Sequence, residues 1–370
     1  MTDTAACLKV LLAGFAGLGS QNHQRAMYLP ALAKHPGFSV VGVYDGIGAD
    51  PLAAEAAAEL GVAVHNDIAE AVKRLDVDVV SVCLPLEQRS RGILAALCAG
   101  AHVFADKPMT ATPEEAREVA ATARQLNRIC MPAHHLRFQP VVQSASAALA
   151  AGRIGLPWNV QAVFVVAGGD RVPEGELTNF AVYPLDIVLA MTGQPVQRVH
   201  ALTGEHWSGH PWATSADLVD FPTRGEGRDA DNDLALLLLD HAHGLTSTIV
   251  VGRRSATGAS STMHRYRVSG SHGVLMVDAT KPAALVENSL GNQRRWDGSH
   301  DDTVAALVDE LYTAVRGGRS TQPGPQDAVA IAEIIAAAQE SARSGHPVHL
   351  DNSPATSPIQ PAPDATESTP

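Results

Sequence analysis

From residue 8 to about 133, short runs of branched aliphatic residues alternate with longer, Ala-rich stretches. LKVLLAG, FSVVGVYD, DVDVVSVCLP, AHVFADKP and RICMPAH have the length and composition of buried strands, and the segments between them are helical in pattern. Strand, helix, strand repetition predicts a parallel sheet with helices on both faces, a doubly wound α/β domain over residues 1–135. A helix at about 138–151 follows, and then the pattern changes. WNVQAVFVVAG, VQRVHALTG, LALLLLDHAHGLTSTIVVG and YRVSGSHGVLMVDA read as strands, several joined by short Gly-containing turns as antiparallel hairpins are. Two amphipathic helices come after them, near 301–316 and 326–343. Residues 136–350 are therefore expected to form an α+β domain with a large, mostly antiparallel open sheet. The Pro-, Ser- and Thr-rich residues 351–370 are expected to be a disordered tail.

One stretch breaks its own pattern. TNFAVYPLDIVLAMTG, residues 178 to 193, is almost wholly apolar, yet Asn179, Tyr183 and Asp186 interrupt it at offsets of four and three, the spacing of one helical face. Pro184 must begin a helix or kink one. If the helix starts only at Tyr183, Asn179 lies in the preceding turn.

Composition narrows the functional classes. The chain has 370 residues, 45% of them hydrophobic, enough for two domains with sizeable cores. A formal charge of −12 without any clustered basic face argues against nucleic acid. The single N-terminal apolar run, Leu8 to Gly17, is too short to span a bilayer and lacks the basic flank of a leader. Cys7, Cys83, Cys98 and Cys130 are far apart and form no zinc-like spacing, so reduced thiols and a cytoplasmic location are expected. No metal is expected either: His206 and His210 sit among helix-breaking Gly and Pro, and His241 and His243 sit in DHAHG, which reads as a hairpin turn.

GFAGLG leaves the first strand and enters a helix, the context of a dinucleotide fingerprint. Gly14 makes the tight turn there. The backbone of Phe15, Ala16, Gly17 and Leu18 approaches the pyrophosphate, Gly19 completes the motif, and the helix N-terminus stabilises its charge. Ala16 replaces the middle glycine and widens that approach. Asp45 ends the second strand, where a carboxylate accepts hydrogen bonds from ribose hydroxyls and repels a 2′-phosphate. Gly46, Ile47 and Gly48 supply no arginine to offset it, so NAD is preferred and NADP remains possible. Lys107, in FADKP, stands at the C-terminal edge of the parallel sheet, and Pro108 fixes its backbone.

Taken together, GFAGLG, Asp45, CLPLEQR after the fourth strand, DKP after the fifth and HHLRF after the sixth resemble the Gfo/Idh/MocA oxidoreductases, over about residues 8–350. The resemblance implies an NAD(P)-dependent enzyme moving a hydride to or from a hydroxyl or keto carbon of a sugar, cyclitol or similar polyhydroxylated small molecule. It implies cofactor contacts from Leu84, Pro85, Arg89, Asp106, Lys107 and His135. Arg89 and His135 stand where the family often has His and Asn, and Asp106 is one methylene shorter than the usual Glu. It aligns Asn179, Tyr183 and Asp186 with the family's substrate-side motif, with Lys107, Tyr183 and Asn179 catalytic and all four touching substrate. Tyr183 resembles the variant in which tyrosine is the proton donor, while Asn179 has lost a carboxylate. A nearby ammonium from Lys107 lowers a phenol's pKa toward working pH. The resemblance also implies a homodimer or homotetramer through the open face of the C-terminal sheet. Two alternatives share the fold: a catalytically silent NAD-binding regulator and an NAD-dependent glycosidase. The long segment 205–231, with Trp207, Trp212, Arg224 and Arg228, reads as a substrate flap, an oligomer contact or a surface loop.

Overall fold

The computed structural model describes residues 7–15, 22–46, 50–167, 172, 174–204, 234–254, 262–281, 283–289, 291, 293–297 and 302–350. Ala16, Gly17, Leu18 and Gly19 of the fingerprint, Ile47 and Gly48, the segment 205–231 and the tail from 351 lie outside these residues. The chain divides into two units, residues 1–138 with 301–333 and residues 139–300 with 334–353.

The first unit opens with β1 (Leu8–Ala13), a π-helical turn Gln24–Tyr28 that runs into α1 (Leu29–Lys34), and β2 (Phe38–Tyr44). It continues through α2 (Pro51–Leu60), β3 (Ala63–His65), α3 (Ile68–Leu75), β4 (Val79–Val82), α4 (Leu86–Ala99), β5 (His102–Ala105), α5 (Pro113–Gln125) and β6 (Cys130–Pro132). Local chemistry sets the helix starts. Asp50 accepts from the Leu52 N–H and Asp67 from the Glu70 N–H, while Thr112 and Glu115 close a capping box ahead of α5. Among the described residues the six strands form a parallel sheet in the order β3-β2-β1-β4-β5-β6. Side chains alternate across it. Leu11, Ala13, Val80 and Val82 join the core under α3, α4 and α5, while Val10, Leu12, Val79 and Phe104 join the core under α1 and α2. The strand order reverses beside β1, so a ligand crevice is expected at the C-terminal edge there.

The second unit contains α6 (Pro140–Ala150), β7 (Pro157–Ala167), α7 (Gly175–Phe180), α8 (Val182–Thr192), β8 (Val196–Gly204), β9 (Leu234–His241), β10 (Thr246–Arg254), β11 (Met263–Gly270), β12 (Gly273–Asp278), β13 (Ala283–Asn288) and β14 (Gln293–Asp297). Then come α9 (Thr303–Gly317), α10 (Pro325–Ser344) and β15 (Val348–His349). Among the described residues nine strands form one sheet, β14-β13-β12-β11-β7-β10-β9-β8-β15, antiparallel except for β7 against β10. Alternation of buried and exposed residues, as in β9 and β11, marks one covered face and one open face. α6, α7 and α8 pack on the covered face. DHAHG is the expected turn: β9 and β10 pair through Ala242–Gly244.

Membership of the two units does not follow the order of the chain. α9 belongs to the first unit, and Val304, Leu307, Val308 and Leu311 lie in the same core cluster as Leu8, Val10, Leu12 and Phe38. An amphipathic stripe announces a buried face without naming the core that receives it, which is why 136–350 read as one domain. The first unit runs to Phe138 before the chain enters the second. Among the described residues, no helix is long and apolar enough to cross a membrane.

Candidate functional site

In the first unit the C-terminal ends of parallel strands carry the expected residues: Gly14 after β1, Asp45 after β2, Leu84 and Pro85 after β4, Asp106 and Lys107 after β5, and His135 after β6. Parallel pairing alone puts these ends on one edge. Gly14 has φ +83°, and a Cβ there would lie 2.7 Å from Leu84 Cδ2 and 2.9 Å from the Cys83 carbonyl. Only glycine suits that turn. Phe15 is buried in the core, so only its backbone is available to a ligand. Asp45 lines a cavity of about 270 Å³ at the ends of β2 and β3. These features suit a dinucleotide: a glycine turn that admits close approach, and a carboxylate at a cavity where a ribose diol would lie.

Asp106 is the hub of the site. Its carboxylate is fully buried and accepts from His23 Nδ1 at 2.9 Å, Tyr28 Oη at 2.5 Å, Arg89 Nη2 at 3.1 Å and Cys83 Sγ at 3.6 Å. Burial by itself raises a carboxyl pKa, but the charges of His23 and Arg89 outweigh it and hold Asp106 well below the usual carboxylate range. Cys83 is pushed the other way, by burial first and by the Asp106 charge second.

Arg89 is also fully buried, and its five N–H donors all go to protein acceptors: the Leu84 carbonyl twice, the Asp106 and Pro108 carbonyls, and the Asp106 carboxylate. These bonds tie Arg89 to the segments that follow β4 and β5. Arg89 and Asp106 hold the turn that carries Lys107, which is 1% exposed. His135 bonds Thr303 Oγ1 at 2.8 Å through Nδ1.

In the second unit every residue from 175 to 190 is buried, so Asn179, Tyr183 and Asp186 lie, with Glu176 and Thr178, in a helix pair that is mostly apolar. α7 and α8 meet at Ala181, itself in the helical region, and Leu185 N–H reaches the Ala181 carbonyl at 3.0 Å. Asn179 thus lies inside α7, one element earlier than a helix starting at Tyr183 would put it. Its Nδ2 donates to Glu176 Oε2 at 3.0 Å. Glu176, 1% exposed, also accepts from Arg253 Nε at 2.5 Å, and the Arg253 guanidinium lies 4.9 Å from the centre of the Phe180 ring. The Tyr183 ring lies 5.0 Å from that of Phe164. Asp186 is buried, and its charge adds to the burial that raises the Tyr266 phenol well above its ordinary range.

His23, Tyr28, Glu176 and Arg253 were not singled out by sequence reasoning. A buried partner of a site residue has no local signature when it comes from 78 positions away, as Tyr28 does for Asp106. Glu176 was closer to legible, since it precedes Asn179 by one helical turn. Among the described residues, no group of three or more His, Cys, Asp or Glu is placed to hold a metal ion.

The sequence model of an oxidoreductase family with an NAD-binding Rossmann fold, GFO_IDH_MocA, matches residues 8–134, and the GFO/IDH/MocA C-terminal domain matches 142–276. A dTDP-3,4-didehydro-2,6-dideoxy-alpha-D-glucose 3-reductase of Streptomyces violaceoruber is 26% identical over 92% of this chain and 97% of its own. Inositol 2-dehydrogenase of Rhizobium meliloti is 26% identical over 79% of this chain and 86% of its own. An oxidoreductase domain protein from Kribbella flavida has the same fold, with a TM-score of 0.77 and 21% identity over 94% of this chain and 100% of that one. With both of its domains matched, this chain belongs to the Gfo/Idh/MocA family and is an oxidoreductase of the NAD(P)-binding Rossmann class.

Proposed function

We propose that the enzyme interconverts a hydroxyl and a keto group on a sugar, cyclitol or related polyhydroxylated metabolite, with NAD as the preferred cofactor and NADP as an alternative. The relatives named for nucleotide-sugar reduction and inositol oxidation support the substrate class. Asp45 supports the cofactor preference, because a carboxylate favours a free ribose diol over a phosphorylated one. When bound, the nicotinamide supplies the hydride chemistry. The chain's own residues manage the proton and the charge.

In this reading Tyr183 gives its phenolic proton to the substrate oxygen in reduction and takes it back in oxidation. Lys107 stabilises negative charge on that oxygen, Asn179 orients the substrate, and Asp186 binds it. The observation that carries the proposal is Lys107 itself, an ammonium 1% exposed on a turn whose acid is held by His23, Tyr28 and Arg89. Burying a lysine beside so constrained an acid has a cost that a purely solvated role does not require.

The test begins with a screen of sugars, cyclitols and their keto forms against NAD(H) and NADP(H), read at the nicotinamide absorbance. On the best substrate, Tyr183→Phe and Lys107→Met should each lower turnover on the order of 100-fold or more. Asn179→Ala should chiefly raise KM. Wild-type turnover from folded Tyr183→Phe removes the phenol from the reaction.

The same reading makes the protein a homodimer or homotetramer that associates through the open face of the second sheet. On that face Leu202 is 60% and Leu238 48% exposed, which supports a covered interface. Light scattering should return a multiple of the chain mass, and Leu238→Glu should shift it toward one chain. A single-chain mass at all concentrations would defeat this assignment. The four free thiols, Cys7, Cys83, Cys98 and Cys130, suit a reducing cytoplasm.

A further inference from the structure

The turn after β2 offers no cation, since Asp45 is followed by Gly46, Ile47 and Gly48. The fold brings one from α3. β3 pairs with β2 through Tyr44 and His65, and the Asp45 N–H bonds the His65 carbonyl at 3.3 Å. This register sets the β3–α3 segment alongside Asp45, and one cavity is lined by Asp45, His65, Asn66, Asp67, Glu70 and Arg74.

These groups are not equivalent. Asp67 Oδ1 accepts from the Glu70 N–H at 2.8 Å as the cap of α3. Glu70 is 4.0 Å from Arg74 Nη1, at the outer limit of an ion pair, and both side chains are more than half exposed. Arg74 Nη2 lies 2.7 Å from His65 Nδ1. His65 is 7% exposed, and burial first, then the Arg74 charge, lowers its pKa, so the ring is neutral and accepts that hydrogen bond. The guanidinium therefore keeps its charge while being held in place on the cavity. A guanidinium fixed by a neutral partner suits a phosphate, which takes paired N–H donors.

We propose that Arg74 is the specificity-determining residue for the cofactor's 2′-phosphate. Asp45 holds the free diol of NAD, Arg74 binds the phosphate of NADP, and both dinucleotides bind. The three carboxylates of the lining outnumber the one guanidinium, so NADH binds more tightly and Arg74 sets how large the difference is. This rests on the reading of Asp45 as the ribose contact.

Fluorescence titration of NADH and NADPH into wild type, Arg74→Ala, Arg74→Lys and Asp45→Ala tests it without any substrate. Arg74→Ala should weaken NADPH about tenfold, a modest phosphate contact at a half-exposed site, and leave NADH unchanged. Arg74→Lys should restore part of the loss by keeping the charge without the fork. Asp45→Ala should weaken NADH and narrow the gap between the two cofactors. An Arg74→Ala protein with the wild-type NADPH to NADH affinity ratio overturns the proposal, as does a wild type that binds no NADPH. Unchanged NADH affinity in Asp45→Ala overturns the ribose reading and this proposal with it. Arg74 is largely exposed, so its variants should melt as wild type does, which separates a lost contact from a lost fold.

Discussion

At the scale of single residues, the site is governed by how a buried charge is held. Asp106 keeps its negative charge in a dry environment only because His23, Tyr28, Arg89 and Cys83 converge on it. Asn at this position can present one acceptor oxygen, and its NH₂ would face groups that are already donors. Asp106→Asn should therefore destabilise the chain at neutral pH by on the order of 3 kcal/mol, the range for breaking a buried ion pair. The pH dependence has a definite sign. The folded carboxyl is depressed below its unfolded value, so its stabilisation is complete above the unfolded pKa of ~3.9 and is lost as pH falls through the folded one. Urea unfolding of wild type and variant should show a gap that is full at pH 7 and shrinks below about pH 4. A gap that is the same at both ends would mean that the charge is not its source.

At the scale of elements, the parallel half was largely legible and the antiparallel half less so, for a physical reason. β1, β4 and β5 are largely buried and read as short apolar runs, while β2, FSVVGVY, keeps enough branched aliphatic residues to read as a strand, and the glycine turn and Asp45 stand at the ends of β1 and β2. β3 escaped the pattern because it is three residues long and two of them are exposed. β13 and β14 escaped because AALVEN and QRRWD mix small and charged residues on the open face, where no core demands an apolar partner. α7 and α8 show the opposite limit. Their polar stripe was visible at the right positions, yet its meaning depends on a strand far along the chain. The carboxylate that position 179 lacks relative to the family motif is present one turn earlier as Glu176, tied to Asn179 on α7 and to Arg253 on β10. A carboxylate only accepts, so Asn179 must turn its Nδ2 toward Glu176 and its Oδ1 the other way. Sequence spacing marked these positions, and the cross-element pair decides how Asn179 is oriented.

At the scale of the whole molecule, the order of the chain is not the order of its cores. The Rossmann unit is closed by a helix that arrives more than 150 residues after its last strand, and α9 brings Val304, Leu307, Val308 and Leu311 into one core with Leu8, Val10, Leu12 and Phe38. Without α9 the apolar residues it shields in that core would meet water, which favours association or partial unfolding. A fragment ending at Phe138 holds all six parallel strands, the glycine turn, Asp45 and Lys107, and on a sequence-only reading it is a complete dinucleotide-binding domain. The packing predicts otherwise: the fragment should keep its far-ultraviolet signal but bind a hydrophobic dye and melt without a cooperative transition. In the full chain Leu311→Ala, at a position with no exposure, should cost about 3 kcal/mol by emptying part of that same contact. Circular dichroism melts of the fragment, with NADH titrated alongside, decide the matter. A fragment that melts as sharply as the full chain and binds NADH as well would show that α9 only decorates a core already complete without it.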